Sequence, residues 1–76
     1  MKSLDSIFRG PSNYIIKVKG IVAPGLSEFL GGMTIENELA GNQTTIYGMI
    51  QDQSELLGIL DTLAQHQTKI LSVKIQ

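Results

Sequence analysis

The chain has no cysteine, no tryptophan and a single histidine, His66. Without thiols there can be no disulfide, no thiolate metal site and no cysteine nucleophile. That composition fits a reducing compartment without requiring one. One histidine offers no metal cluster unless carboxylates dominate, so neither a metal nor a cofactor is expected. Two Phe and two Tyr are too few and too dispersed for a base-stacking platform. Six Lys and Arg against seven Asp and Glu, a net charge of −1, leave no basic stripe for a phosphate backbone, and no nucleic-acid role is expected. No apolar run approaches the roughly 18 residues of a membrane span. The opening MKSLDSIFRG lacks the apolar centre of a secretory signal. A soluble, cytoplasmic protein with no membrane partner is the expectation.

Catalytic motifs are missing too. Ser27 lies in GLSEFLG, which is not a nucleophile elbow, and no His or Asp is placed to serve it. No Walker loop or dinucleotide fingerprint occurs, because the glycines fall at the ends of elements. Glu36 and Glu38 share one side of a strand, where a solvated pair is the ordinary reading and an acid/base couple the exceptional one. His66 falls near the end of a helix, where a cationic side chain suits the dipole. No catalytic residue is expected, and the protein is not read as an enzyme.

What is present is clearest between Thr44 and Gln76. Leu56, Ile59, Leu60 and Leu63 recur at i, i+3, i+4 and i+7, with Leu57 and Ala64 widening the stripe. Asp52 followed by Glu55 has the spacing of a capping box, with Asp replacing Ser or Thr. Gly58 costs such a helix roughly 1 kcal/mol. It marks either a close approach to a sheet or a tolerated weak position. Strands flank the helix on both sides. Ile46, Gly48 and Ile50 alternate with Thr45, Tyr47 and Met49; Leu71, Val73 and Ile75 alternate with Ile70, Ser72 and Lys74. A helix joining two strands of one sheet predicts that they run parallel.

Upstream, residues 1–13 read as a lead-in arm and residues 14–76 as a single domain. Leu4, Ile7 and Phe8 give the arm one apolar turn before Gly10-Pro11 breaks it. Tyr14–Lys19 is the first strand. A helix of about two turns follows from Pro24, with Leu26, Phe29 and Leu30 as its apolar contacts and Gly31-Gly32 as its stop. Met33–Leu39 alternates again, with Met33, Ile35 and Leu39 inward and Asn37 interrupting the row. A turn at Ala40-Gly41-Asn42 leads into the next strand. The order β-α-β-β-α-β predicts an α+β, ferredoxin-like sandwich: a four-stranded antiparallel sheet, spatial order fourth-first-third-second, with both helices on one face. The expected helix-facing row is Ile16, Val18, Ile35, Ile46, Ile50, Leu71, Val73 and Ile75.

The other face is expected to carry Ile15, Lys17 and Lys19, then Tyr47 and Met49, then Glu36 and Glu38, with Ile70, Ser72 and Lys74 beside them. An apolar centre of Ile15, Tyr47, Met49 and Ile70 between lysines and glutamates is self-complementary about a two-fold axis. A chain this short buries only about 60–65% of its unfolded surface, and association is a common remedy. A homodimer, joined face to face or by strand edges, or docking of another protein on this face, is the expectation.

From Tyr47 to Val73 the residues Gly48, Asp52, Gln53, Leu56, Gly58, Leu60, Leu71, Ser72 and Val73 resemble a group of small uncharacterised bacterial proteins, a likeness that implies no activity. Lys19-Gly20 followed by Pro24-Gly25-Leu26 is similar to the ACT domain, a βαββαβ regulatory module that binds amino acids at dimer interfaces. That resemblance implies a ligand beside the loop Ile21–Gly25, held by Gly20, Pro24 and Gly25. The helix here is about a turn shorter than that family's. Metallochaperones of the same topology carry a C-x-x-C that this chain lacks.

Overall fold

Hydrophobic alternation along Ser12–Lys19 (β1) sets up the centre of the sheet. In the computed structural model, which describes residues 11–76, Tyr14, Ile16 and Val18 of this strand are fully buried on one face. The strand starts two residues before Tyr14. A 3-10 helix (Pro24–Leu30), β2 (Thr34–Glu38), β3 (Gln43–Ile50), α1 (Gln53–Gln65) and β4 (Lys69–Ile75) follow. The expected arm lies, for residues 1–10, outside the described residues.

The sheet is antiparallel throughout, in the order β2-β3-β1-β4. Read from the β4 edge, this is the fourth-first-third-second order expected. β3 and β4 both run against β1, so the two strands joined by α1 are parallel to each other with β1 between them. Helical residues Leu30, Leu56, Ile59 and Leu63 join Tyr14, Ile16, Val18, Ile46 and Ile50 in one core, so both helices cover the same face.

α1 forms where the spacing predicts it. Asp52 Oδ1 accepts from the Glu55 N–H at 2.8 Å, and Glu55 Oε1 accepts from the Gln51 N–H at 2.7 Å. The first bond satisfies a donor that the first turn leaves open, and the second ties the residue before the cap to the helix. Leu57 and Ala64 are exposed rather than part of the packed stripe. Gly58 faces open space, which settles it as a tolerated weak position and not a close approach. Gly48 in β3 instead holds φ at +156°, which strains an L side chain, although an added Cβ would make only ordinary contact with Met33, 3.4 Å from its Cγ.

Three expectations are corrected. The first helix is 3-10, not α, and this reorders its faces. At three residues per turn Leu26 and Phe29 stack on one edge while Leu30 points elsewhere. Leu30 is therefore buried, Leu26 half-buried and Phe29 69% exposed. Second, β2 ends at Glu38, and Leu39 begins the four-residue turn and is 78% exposed instead of facing inward. Third, β4 contains a bulge. Val18 pairs with Ile70 but Lys17 pairs with Ser72, leaving Leu71 as the extra residue. A one-residue slip exchanges the faces of a strand. Ile70 therefore packs against the core with Val73, while Leu71 is 47% exposed. Ile70 does not belong to the open face, and Leu71 does not belong to the core row.

Candidate interaction surfaces

The face of the sheet away from the helices is organised by cross-strand pairs, whose side chains share a side. Ile15 lies opposite Tyr47 and Lys74; Lys17 lies opposite Thr45 and Ser72; Lys19 lies opposite Gln43 and Lys69. At the β2 edge Thr34 pairs with Tyr47, Glu36 with Thr45 and Glu38 with Gln43. The expected Ile15, Lys17, Lys19, Glu36, Glu38, Tyr47 and Met49 are thus brought to one surface. Ile70 is not.

Ile15 and Tyr47 are half-buried there, and Met49 is 47% exposed. All four basic residues among those described, Lys17, Lys19, Lys69 and Lys74, stand on the β1–β4 half of this face. None of them has a carboxylate partner among the described residues. Glu36 and Glu38 hold the β2 edge, while Glu28, Asp52, Glu55 and Asp61 belong to the helical side. The sheet face is basic toward one edge and acidic toward the other.

Tyr47 links the apolar centre to the acidic edge. Its hydroxyl donates to Glu36 Oε2 at 2.8 Å. That hydrogen bond raises the phenol above its ordinary value of 10.0, with desolvation and the carboxylate charge adding to it. A raised phenol favours the neutral form, so its contribution to stability is complete below the unfolded-state value and is lost as the pH rises through the folded one. Spectrophotometric titration at the tyrosinate band should show Tyr47 ionising late, and Glu36→Gln should bring it down. A Tyr47 transition unmoved by that substitution would mean the bond does not persist in solution.

A second surface lies at the end of the domain where β1 leaves the sheet. A cleft of about 340 Å³ is lined by Ile21, Val22, Ala23, Gly25, Leu26, Phe29, His66 and Thr68. Its back wall is fixed by a polar node that the sequence pattern only hinted at. Asn37, the residue interrupting the inward row of β2, uses its side-chain amide like a strand partner. Oδ1 accepts from the Val22 N–H at 3.0 Å and Nδ2 donates to Val22 O at 2.9 Å. Thr44, fully buried opposite Asn37, has one hydroxyl proton shared between Asn37 Oδ1 and Gly20 O. Gly20 also donates its N–H to Asn42 O at 2.7 Å and holds φ at +96°, where side chains fit poorly.

Of the residues singled out for a ligand, Gly25 lines the cleft, Gly20 anchors the loop behind it, and Pro24 starts the 3-10 helix. His66 is the residue after α1, with Nδ1 2.9 Å from Thr62 O; that bond leaves Nε2 for other partners. Ser27 has a structural partner, donating to Met33 O at 2.8 Å. Among the described residues no group of His, Cys, Asp and Glu could hold a metal ion, and no helix is long and apolar enough to cross a membrane.

The fold defines an α+β domain with an open four-stranded antiparallel sheet and helices on one face. Within that class the chain belongs to the family described as Domain of unknown function (DUF8691), which matches residues 13–74. No curated protein and no solved structure matches it.

Proposed function

We propose that this chain is a non-enzymatic, cytoplasmic interaction module of ferredoxin-like type that forms a homodimer through the open face of its sheet. The strand-helix-strand-strand-helix-strand order, with a 3-10 helix in the first helical position, and the β4-β1-β3-β2 arrangement support the ferredoxin-like reading. One observation carries the function. An apolar centre of Ile15, Tyr47 and Met49 adjoins a surface split into a lysine half and a glutamate edge, on the sheet face opposite the described helices.

Self-association by the face is favoured over association by an edge. β2 is only five residues long and carries Glu36 and Glu38; β4 is interrupted by the bulge at Leu71 and carries Lys69 and Lys74. Short, charged and bulged edges are those that resist strand addition. Four strands about 4.8 Å apart and some 25 Å long present roughly 500 Å² in plan. That is small beside the roughly 800 Å² per partner of a standard interface, so association in the micromolar range is expected. Tyr47→Glu places a charge in the centre and should weaken the dimer at least tenfold with the monomer fold retained. Sedimentation equilibrium checks this, and an unchanged dimer would remove the face from the account.

A second reading, an ACT-like regulatory domain binding an amino acid or another small ligand, is favoured by the cleft beside Ile21–Gly25. Its volume lies at the low end for ligand pockets, and its wall is pre-organised by Asn37. A rise in melting temperature with one amino acid, abolished by Phe29→Ala, would put this reading ahead.

A further inference from the structure

Two directions of an in-plane two-fold axis lay the open face on a copy of itself with the strands of both copies aligned. If the axis runs across the strands, each strand meets itself, and the lysine half is set against the lysine half. If the axis runs along the strands, β4 meets β2 and β1 meets β3 of the second copy. Like charges brought together in an interface are strongly disfavoured. The cross-strand register therefore selects between the two.

We infer that, in the dimer proposed above and resting on that reading, the two-fold axis runs parallel to the strands, so that the lysine half of each copy covers the glutamate edge of the other. The register then specifies who meets whom. Ile15 and Tyr47 share a row on adjacent central strands. They exchange places under this axis, so Ile15 packs on Tyr47 of the second copy, twice. Lys69, Lys19, Gln43 and Glu38 form one row across the four strands. Reversal of that row lays Lys69 over Glu38 of the second copy and Lys19 over its Gln43. Ser72, Lys17, Thr45 and Glu36 form the row between. There Lys17 comes over Thr45 of the second copy, beside its Glu36. Sheets packed in this sense cross at about −30° because each is twisted, so the central rows fit closely and the outer charges meet through long side chains. The β1–β4 lysines, without a carboxylate partner among the described residues, each gain an acidic neighbour within about a Debye length of 8 Å.

The axis predicts a sign, which makes it testable with exposed residues. Lys69→Glu sets Glu against Glu38 of the second copy at two symmetry-related places, and the dimer dissociation constant should rise about tenfold, two reversed pairs acting together. Within its own chain the new carboxylate lies opposite Lys19, so the monomer fold should not suffer. Glu38→Lys alone should weaken the dimer similarly. The double variant Lys69→Glu/Glu38→Lys restores opposite charges and should return the constant to within about twofold of the original. Sedimentation equilibrium of all four proteins, with circular dichroism as the folding check, reads these values. A tighter or unchanged dimer for Lys69→Glu, or a double variant as weak as the singles, would overturn the axis while leaving a dimer disrupted by Tyr47→Glu in place. A parent protein that stays monomeric at every concentration would overturn the proposed function and the axis together.

Discussion

Replacing Asn37 with alanine should lower the unfolding free energy by about 2–4 kcal/mol, far more than a half-buried polar residue near a sheet edge ordinarily costs. The side chain serves both the N–H and the C=O of Val22, a residue only 5% exposed, and it accepts from Thr44 as well. Alanine leaves Val22 O without that donor and its N–H with only the longer contact to Thr44 Oγ1 at 3.3 Å. Asn37→Asp keeps the acceptor but turns a carboxylate oxygen toward Val22 O, so it should not rescue. Urea unfolding followed by circular dichroism measures the loss. A change under half a kcal/mol would mean that water replaces the amide and that the cleft wall is not held by it.

Leu63→Ala should cost about 2–5 kcal/mol, the range for truncating a fully buried leucine. Leu63 has no exposed surface and packs with Leu56 and Ile59 against the sheet. In a domain of this size each kcal/mol moves the melting temperature by about 4–8 °C, so the thermal transition should fall well outside experimental error. Leu60 lies at the margin of the stripe and is half-buried, so Leu60→Ala should cost about half as much. Equal losses at the two positions would mean the helix is rotated from the orientation described.

The elements that could be read from the chain were those in which one period dominates. α1 has a leucine stripe and a capping pair, and β1 and β3 alternate cleanly, so their faces followed from spacing. The 3-10 helix was legible as a short helix after Pro24 but not as a tighter one. That difference moved Phe29 from core to cleft. The β4 bulge left no mark in the sequence, since Ile70, Leu71 and Val73 are all apolar and either register can be written through them. Pairing with β1, a tertiary matter, decided that Ile70 faces the helices.

The open face was legible through Ile15, Lys17, Lys19, Tyr47, Met49, Glu36 and Glu38, because each lies on a strand whose phase was plain. Lys69 was missed as a member of that face for the same reason that Ile70 was misplaced. The polar node around Asn37 was missed as well, although an asparagine at an inward position of an apolar strand is itself a signal. A polar side chain in such a row needs a buried partner, and the Val22 backbone supplies it.

The central claim, that the open sheet face joins two copies, is tested most directly by sedimentation equilibrium of the parent chain and Tyr47→Glu across micromolar concentrations at low and high salt. The expected result is a parent mass that rises with concentration toward twice the 8.3 kDa chain, less readily at high salt, and a variant that remains near the single-chain mass. A parent chain that stays monomeric throughout, or a variant that dimerises as readily as the parent, would contradict it.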